Sequence, residues 1–355
     1  MVGRAALCIA LMVTLACGTV KQVVPATSPS PPMVSGPTLS AGAMAFDVSD
    51  GELVLLDPSE GVTWTWDGLH SWKLRHPSSV PTEHSVKIGG PIPAMAWDPA
   101  TSSVLAIVGD TPVRPGVSFP DQVVPATWSW HAGEWSKLAV HTPNYIEGAM
   151  GSFPPKHQVI LFSGCCDFSQ PPPLCCGGGP GPVAERAMWA WNGTDWAELH
   201  PAHMPPPRFG GSMIYDPAFG KLVLFGGVGG GGPNPMADLW TWDGADWTQA
   251  TPAKIDINLS ASAASSPAGG LVVAAGFYPS TKPLPGPLAE TWTWDGVAWR
   301  KLDVPTPNCF VCELAYDPVR KFTVMVTTMV TNTEGATHVA NQVWTWDGKV
   351  WTQRS

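Results

Sequence analysis

Trp240-Thr241-Trp242-Asp243-Gly244-Ala245-Asp246-Trp247 is the clearest copy of a pattern that returns six times along the chain. Eighteen of the 19 Trp residues belong to it. They form the triplets Trp64, Trp66, Trp72; Trp128, Trp130, Trp135; Trp189, Trp191, Trp196; Trp240, Trp242, Trp247; Trp292, Trp294, Trp299; and Trp344, Trp346, Trp351, the first with one extra residue. Between the second and third Trp stands Asp-Gly in four units, Asn192-Gly193 in the third and His131-Ala132-Gly133 in the second. Gly takes a positive φ without a Cβ clash, and Asp or Asn tolerates the neighbouring left-handed position, so each triplet reads as strand, tight turn, strand. Side chains alternate along a strand, so the first two Trp of a unit share one sheet face and bury their indoles against the next sheet.

A second register gives the same count. Met44-Ala45-Phe46-Asp47, Met95-Ala96-Trp97-Asp98, Met150-Gly151-Ser152-Phe153, Met213-Ile214-Tyr215-Asp216, Ala263-Ala264-Ser265-Ser266 and Leu314-Ala315-Tyr316-Asp317 precede the six triplets in turn. A turn and then an apolar run follow each, as in Leu53 to Leu56 or Leu222 to Phe225, and such runs suit middle strands buried on both faces. Each unit thus supplies a small-residue inner strand, an apolar second strand, the Trp-x-Trp third strand and an outer strand. Radial repetition of four-stranded antiparallel sheets is a β-propeller, here all-β with six blades. The blades are expected at 41–76, 91–139, 146–200, 208–251, 258–303 and 309–355, within one domain at 41–355. No strand is visibly shared between the two ends, so the ring closes by face packing or by a strand added from residues 30–40.

The fourth unit resembles a kelch repeat, through Pro207-Arg208, Asp216-Pro217, Leu222-Val223-Leu224-Phe225-Gly226-Gly227 and Leu239-Trp240-Thr241-Trp242-Asp243-Gly244. The resemblance extends in weaker form over the whole globular part. It implies inner strands lining a central channel, with ligands near the rim that carries the loops between second and third strands. Those loops are short in blade 1 and long in blades 2 to 6, at about 109–125, 164–186, 226–237, 277–290 and 330–340.

Outside the repeats the chain has export features. Arg4 is followed by an uncharged stretch from Ala5 to Ala16 that is too short to span a bilayer, and 1–16 reads as a signal peptide. Thr14-Leu15-Ala16-Cys17 resembles the lipobox of bacterial lipoproteins, which implies lipidation at Cys17 and anchoring to a membrane through that lipid; the competing reading is an ordinary secretory signal cut near Gly18, with the protein secreted. Residues 17–40, with Pro25, Pro29, Pro31, Pro32 and Pro37, read as a tether that can hold the domain up to about 70 Å from its anchor. The net charge of -9 and the lack of a Lys/Arg cluster exclude nucleic acid as a partner.

Five residues before the inner-strand anchors lie Leu39, Gly90, Tyr145, Arg208, Asn258 and Cys309, which should ring the channel mouth. Arg208, Tyr145, Glu147 and Asn258 are the candidate ligand-binding residues; Arg208 with Glu147 could grip a carboxylate or sugar hydroxyls, although an Arg at this kelch position also binds backbone carbonyls. Cys165, Cys166, Cys175 and Cys176 bracket the blade 3 loop, and Cys309 and Cys312 open blade 6. In an exported protein these six are disulfide candidates, with connectivity open; a zinc or copper(I) site is the competing reading, weakened by the single Cys-x-x-Cys. No catalytic constellation emerges. The copper ligands and Tyr-Cys cross-link of galactose-oxidase-like enzymes find no counterpart among Tyr145, Tyr215, Tyr278 and Tyr316, and the leading Ser-x-Asp of sialidase Asp boxes is missing. The sequence therefore points to a monomeric extracytoplasmic binding or scaffold module, without catalysis, cofactor or metal, taking a protein or glycan at its loop rim. The alternative is a carbohydrate-active or metal-dependent surface enzyme using the same rim.

Overall fold

Pro37 and residues 42–70, 72–82, 93–110, 124–143, 148–162, 187–229, 234–250, 262–275, 289–307, 311–333 and 336–354 are described by the structure, a computed structural model of the 355-residue chain. Six four-stranded antiparallel sheets follow one another, and in each the spatial order of strands is their order in the chain. Blade 1 is built from Ala43–Asp47, Glu52–Asp57, Val62–Trp66 and Lys73–Arg75. The inner strands of blades 2 to 6 are Ala94–Asp98, Ala149–Phe153, Ser212–Asp216, Ser262–Ser265 and Val311–Asp317. The six-bladed β-propeller read from the two registers is the fold observed. The signal peptide, Cys17 and the tether up to residue 36 lie outside the described residues.

The core is divided among six clusters, each drawing side chains from two consecutive blades. Second-strand residues such as Leu53 to Leu56, Val159 to Phe162 and Leu222 to Phe225 are completely buried because both sheet faces meet another blade. The second Trp of every triplet is buried, and its ring packs 5.3 to 6.4 Å from the third. At about 25 cal/mol per Å², an indole burying 150–250 Å² contributes about 4–6 kcal/mol, so these Trp dominate interblade packing. The first Trp of each triplet is only half-buried.

Both alternatives for ring closure had been open, and face packing is what the described residues show. Met44, Phe46, Leu53, Leu55, Trp66 and Trp72 of blade 1 pack against Ala315, Val324, Val326 and Val343 of blade 6. Arg320 adds a polar tie, its Nη1 donating to the Gly51 carbonyl at 3.1 Å while pairing with Asp317 at 2.8 Å.

Each Trp-Asp-Gly turn is closed by its own acid. Oδ1 of Asp243 accepts the backbone N–H of Ala245 and Asp246, and Asp295 and Asp347 repeat the geometry. These backbone donors hold the three carboxyls below the usual aspartate range, so their contribution to stability is present at neutral pH and lost in acid. Gly296 meets a second requirement: with φ +96 it also lies where a Cβ would come within 2.4 Å of the Phe219 ring of blade 4.

The third Trp of a blade reaches back to the residue preceding the first Trp of the previous blade. Trp135 Nε1 donates to Thr63 Oγ1 at 2.9 Å, Trp196 to Thr127 at 3.0 Å, Trp351 to Thr291 at 2.9 Å and Trp247 to the Met188 sulfur at 3.2 Å. Leu239 and Val343 occupy that position in blades 4 and 6, and Nε1 of Trp299 and of Trp72 is correspondingly buried without a partner. An unmet buried donor costs about 1–3 kcal/mol. Val343→Thr should therefore stabilise the ring by about 1 kcal/mol and Thr63→Val should destabilise it by about 1–2 kcal/mol, as read by denaturant unfolding.

Candidate functional site at the channel mouth

The chain enters every inner strand from the rim that carries the interblade connections, so equivalent positions can be ranked by depth from that rim. The outermost equivalent pairs are Ala43 with Leu56, Ala94 with Ile107, Ala149 with Phe162, Ser212 with Phe225, Ser262 with Ala274 and Glu313 with Val326. Side chains at this level face the following blade: Ala43, Ala94 and Ala149 belong to clusters shared with blades 2, 3 and 4. In blades 4 and 5 the Ser hydroxyls accept backbone N–H groups of the next blade, Ser212 from Ala263 at 3.1 Å and Ser262 from Leu314 at 3.3 Å. The level is thus a ring of five small residues and one acid.

Glu313 shares its face of the strand with Ala315, which packs against Met44 and Phe46, so its carboxyl is directed to the interface between blades 6 and 1. It has no hydrogen-bonding or ionic partner among the described residues. Protein surrounds the carboxyl, and burial alone pushes its pKa up from 4.5 to about 7. The residue is nevertheless only half-buried. Glu313 stands on the first strand of its blade, the innermost one, which lines the channel of a propeller. A carboxyl that exchanges its proton near neutral pH can serve as donor or acceptor to a bound group.

Blade 6 also raises a wall beside this acid. Its second and third strands are Phe322–Thr333 and Ala336–Trp346, running seven residues beyond Val326, about 23 Å at 3.3 Å per residue. A loop had been expected at 330–340; paired strands continue into it instead. In blade 4 the rim carries an additional small sheet of Arg208–Phe209, Val228–Gly229 and Asn234–Pro235.

Arg208, expected to face a ligand, belongs to that small sheet and turns its charge inward. Its Nη1 and Nη2 clasp Asp238 at 2.6 and 2.8 Å, Nη1 also reaches the Gly226 carbonyl at 3.0 Å, and Nε the Pro206 carbonyl at 3.2 Å. With 1% of its surface exposed, it fastens the blade 4 rim and leaves no charge for a ligand. Asp238 is fixed further by Trp240 Nε1 at 2.7 Å. Tyr145, Glu147 and Asn258 lie outside the described residues, as do Cys165, Cys166, Cys175, Cys176 and Cys309. Cys312 is buried against blade 5, among Ala264, Val272 and Met325.

Glu313 escaped the reading of the sequence because the channel mouth was sought five residues before the anchors, which overshot the paired level. Its signal was present: directly before Leu314 stands an acid where the other five units have Ala or Ser.

No protein-family model and no curated protein matches the chain. Solved structures share its fold. An α-L-arabinofuranosidase from Fusarium graminearum, in complex with an iminosugar inhibitor, is 16% identical over 85% of this chain and 92% of that one, with a TM-score of 0.52. A PL25 polysaccharide lyase, ulvan lyase, is 10% identical over 91% and 83% of the two chains, and a gluconolactonase from Xanthomonas campestris 13% over 88% and 86%, both with TM-scores of 0.49. At 16% identity the likeness to the arabinofuranosidase extends to the six-bladed propeller alone, and none of the three is described as a kelch protein. The expectation of a non-catalytic binding or scaffold module is corrected: the solved propeller that this chain resembles with a TM-score of 0.52 is an enzyme, not a binding scaffold.

The raised carboxyl has a thermodynamic signature. A folded pKa of about 7 against 4.5 means that the fold prefers the protonated form, so stability falls as pH rises from 4.5 to 7 and is level above it. The loss is at most about 3 kcal/mol, at about 1.4 kcal/mol per pKa unit. Glu313→Gln should abolish this fall, so that unfolding free energies measured at pH 5 and pH 8 differ less in the variant than in the parent. Equal differences would contradict the assigned burial. The turn aspartates act in a separate, more acidic window.

Proposed function

We propose that the chain is a carbohydrate-active surface enzyme whose site is the channel mouth and loop rim of the propeller. The observation that carries this reading is one carboxyl, that of Glu313, without a partner among the described residues, at a level of the inner strands where the other five blades carry Ala or Ser, beside the extended blade 6 hairpin. A partnerless acid at the channel end of a propeller offers a ligand chemistry. Support also comes from the arabinofuranosidase, a propeller of the same fold that holds an iminosugar inhibitor.

The kelch-like grammar of blade 4, an export signal at 1–16, lipidation of Cys17 and a tether at 17–40 complete the proposal, and they put the enzyme at a membrane surface outside the cytoplasm. Disulfides among Cys165, Cys166, Cys175, Cys176, Cys309 and Cys312 would stiffen the rim there, where an oxidising compartment permits them.

Two measurements test the reading. Purified full-length protein incubated with a panel of neutral and acidic polysaccharides should release shortened products from at least one of them, and a panel neither bound nor cleaved would overturn the proposal. Cys17→Ser should move the protein from the membrane fraction to the soluble fraction; unchanged retention would refute anchoring through that thiol.

A further inference from the structure

We propose that Glu313 is the acid–base residue of this site and that its substrate is an uncharged sugar, to whose leaving oxygen the carboxyl gives its proton. This deepens the carbohydrate-active reading and rests on it.

At the same level of the ring, Ser212 and Ser262 each tie to the next blade through its backbone, and Ala43, Ala94 and Ala149 simply fill the interface. Each of these has a structural role that is satisfied inside the protein. Glu313 has none: among the described residues no hydrogen bond or ion pair engages it, although leaving a carboxyl in such surroundings without a partner is unfavourable. A fold that needed only packing here is served by Ala, as three blades show.

Among the described residues the neighbouring elements supply no counter-charge. The inner strand of blade 1 contributes only Asp47, at its far end. The blade 5 inner strand is Ser-Ala-Ala-Ser, and the blade 6 second strand beside Glu313 runs Phe322-Thr323-Val324-Met325-Val326. Cys312 and Leu314 face the opposite way, into the interface with blade 5. Among the described residues no cation therefore holds the acid ionised, and burial keeps it protonated up to about pH 7. The same lack of positive charge among the described residues around the acid disfavours an anionic substrate, since Arg208 spends its charge on Asp238. An uncharged sugar ring fits both conditions.

In the step assigned to it, the glycosidic bond breaks with its electron pair passing to the departing oxygen, which takes the Glu313 proton. Water is the co-reactant. Its oxygen forms the new bond to the anomeric carbon, and its released proton restores the carboxyl.

The test uses full-length protein, the Glu313→Gln and Glu313→Asp variants, and the neutral polysaccharide that the parent cleaves. Glu313→Gln should lower kcat by about 100-fold or more while KM stays within about twofold, and Glu313→Asp should recover part of the rate. The parent's kcat should fall tenfold per pH unit above about 7, a limb missing from the Gln variant. Parental kcat in the Gln variant would overturn the role of Glu313 and leave the carbohydrate reading intact. Cleavage of acidic polysaccharides alone would overturn the substrate class, and inactivity on every glycan would overturn both readings. A substrate-free measurement stands beside these: carbon-13 NMR titration of the glutamate carboxyls, parent against Gln variant, should reveal one midpoint near 7. A midpoint in the ordinary range near 4.5 would overturn the inference even where activity is lost.

Discussion

Everything in this molecule depends on the meeting of two-faced apolar sheets. A single blade has a second strand buried on both sides, so it cannot hide its own core, and it becomes stable only between two others. The Trp pairs at each interface meet this need with large area and little rotamer freedom. They also supply direction, because the third indole of each blade reaches for the preceding one where Thr63, Thr127 and Thr291 stand ready. Packing sets the ring, and the polar ties select its register.

That dependence explains what could be read from residues alone. Burial on both faces demands repetition, repetition leaves a period, and the Trp triplets and the inner-strand anchors display it twice. Blade number, strand order and the turns at Asp243, Asp295 and Asp347 were legible for this reason. The blade 6 hairpin was less so: 330–340 mixes Thr with small and polar residues, and nothing local says whether such residues pair or wander until Thr331 is seen opposite His338. Arg208 shows another limit. A lone Arg reads as available charge, and its partner Asp238 lies 30 residues away across a sheet that only folding creates. Glu313 was hidden for the opposite reason, since its meaning comes from the five residues it is unlike, and those become comparable only when the strands are set in register.

The site also illustrates how a repeat fold acquires chemistry. Symmetry gives every blade the same depth, the same exposure to the channel and the same neighbour, so most positions are bound to similar residues. Departures from the period carry the individuality of the molecule. In this chain they gather at one end of the channel: the acid of blade 6, the tall hairpin beside it and the fastened rim of blade 4.

Closure by side chains alone gives the ring a seam. Each blade takes its four strands in chain order, so five interfaces join blades that follow one another in sequence, while the sixth joins the first blade to the last through side chains among the described residues. That interface is also where the Trp72 indole lacks its acceptor and where Glu313 points. The boundary between the two ends of the ring and the carboxyl without a partner among the described residues therefore coincide. A ligand held at that boundary would act as a clasp between the first and last blades.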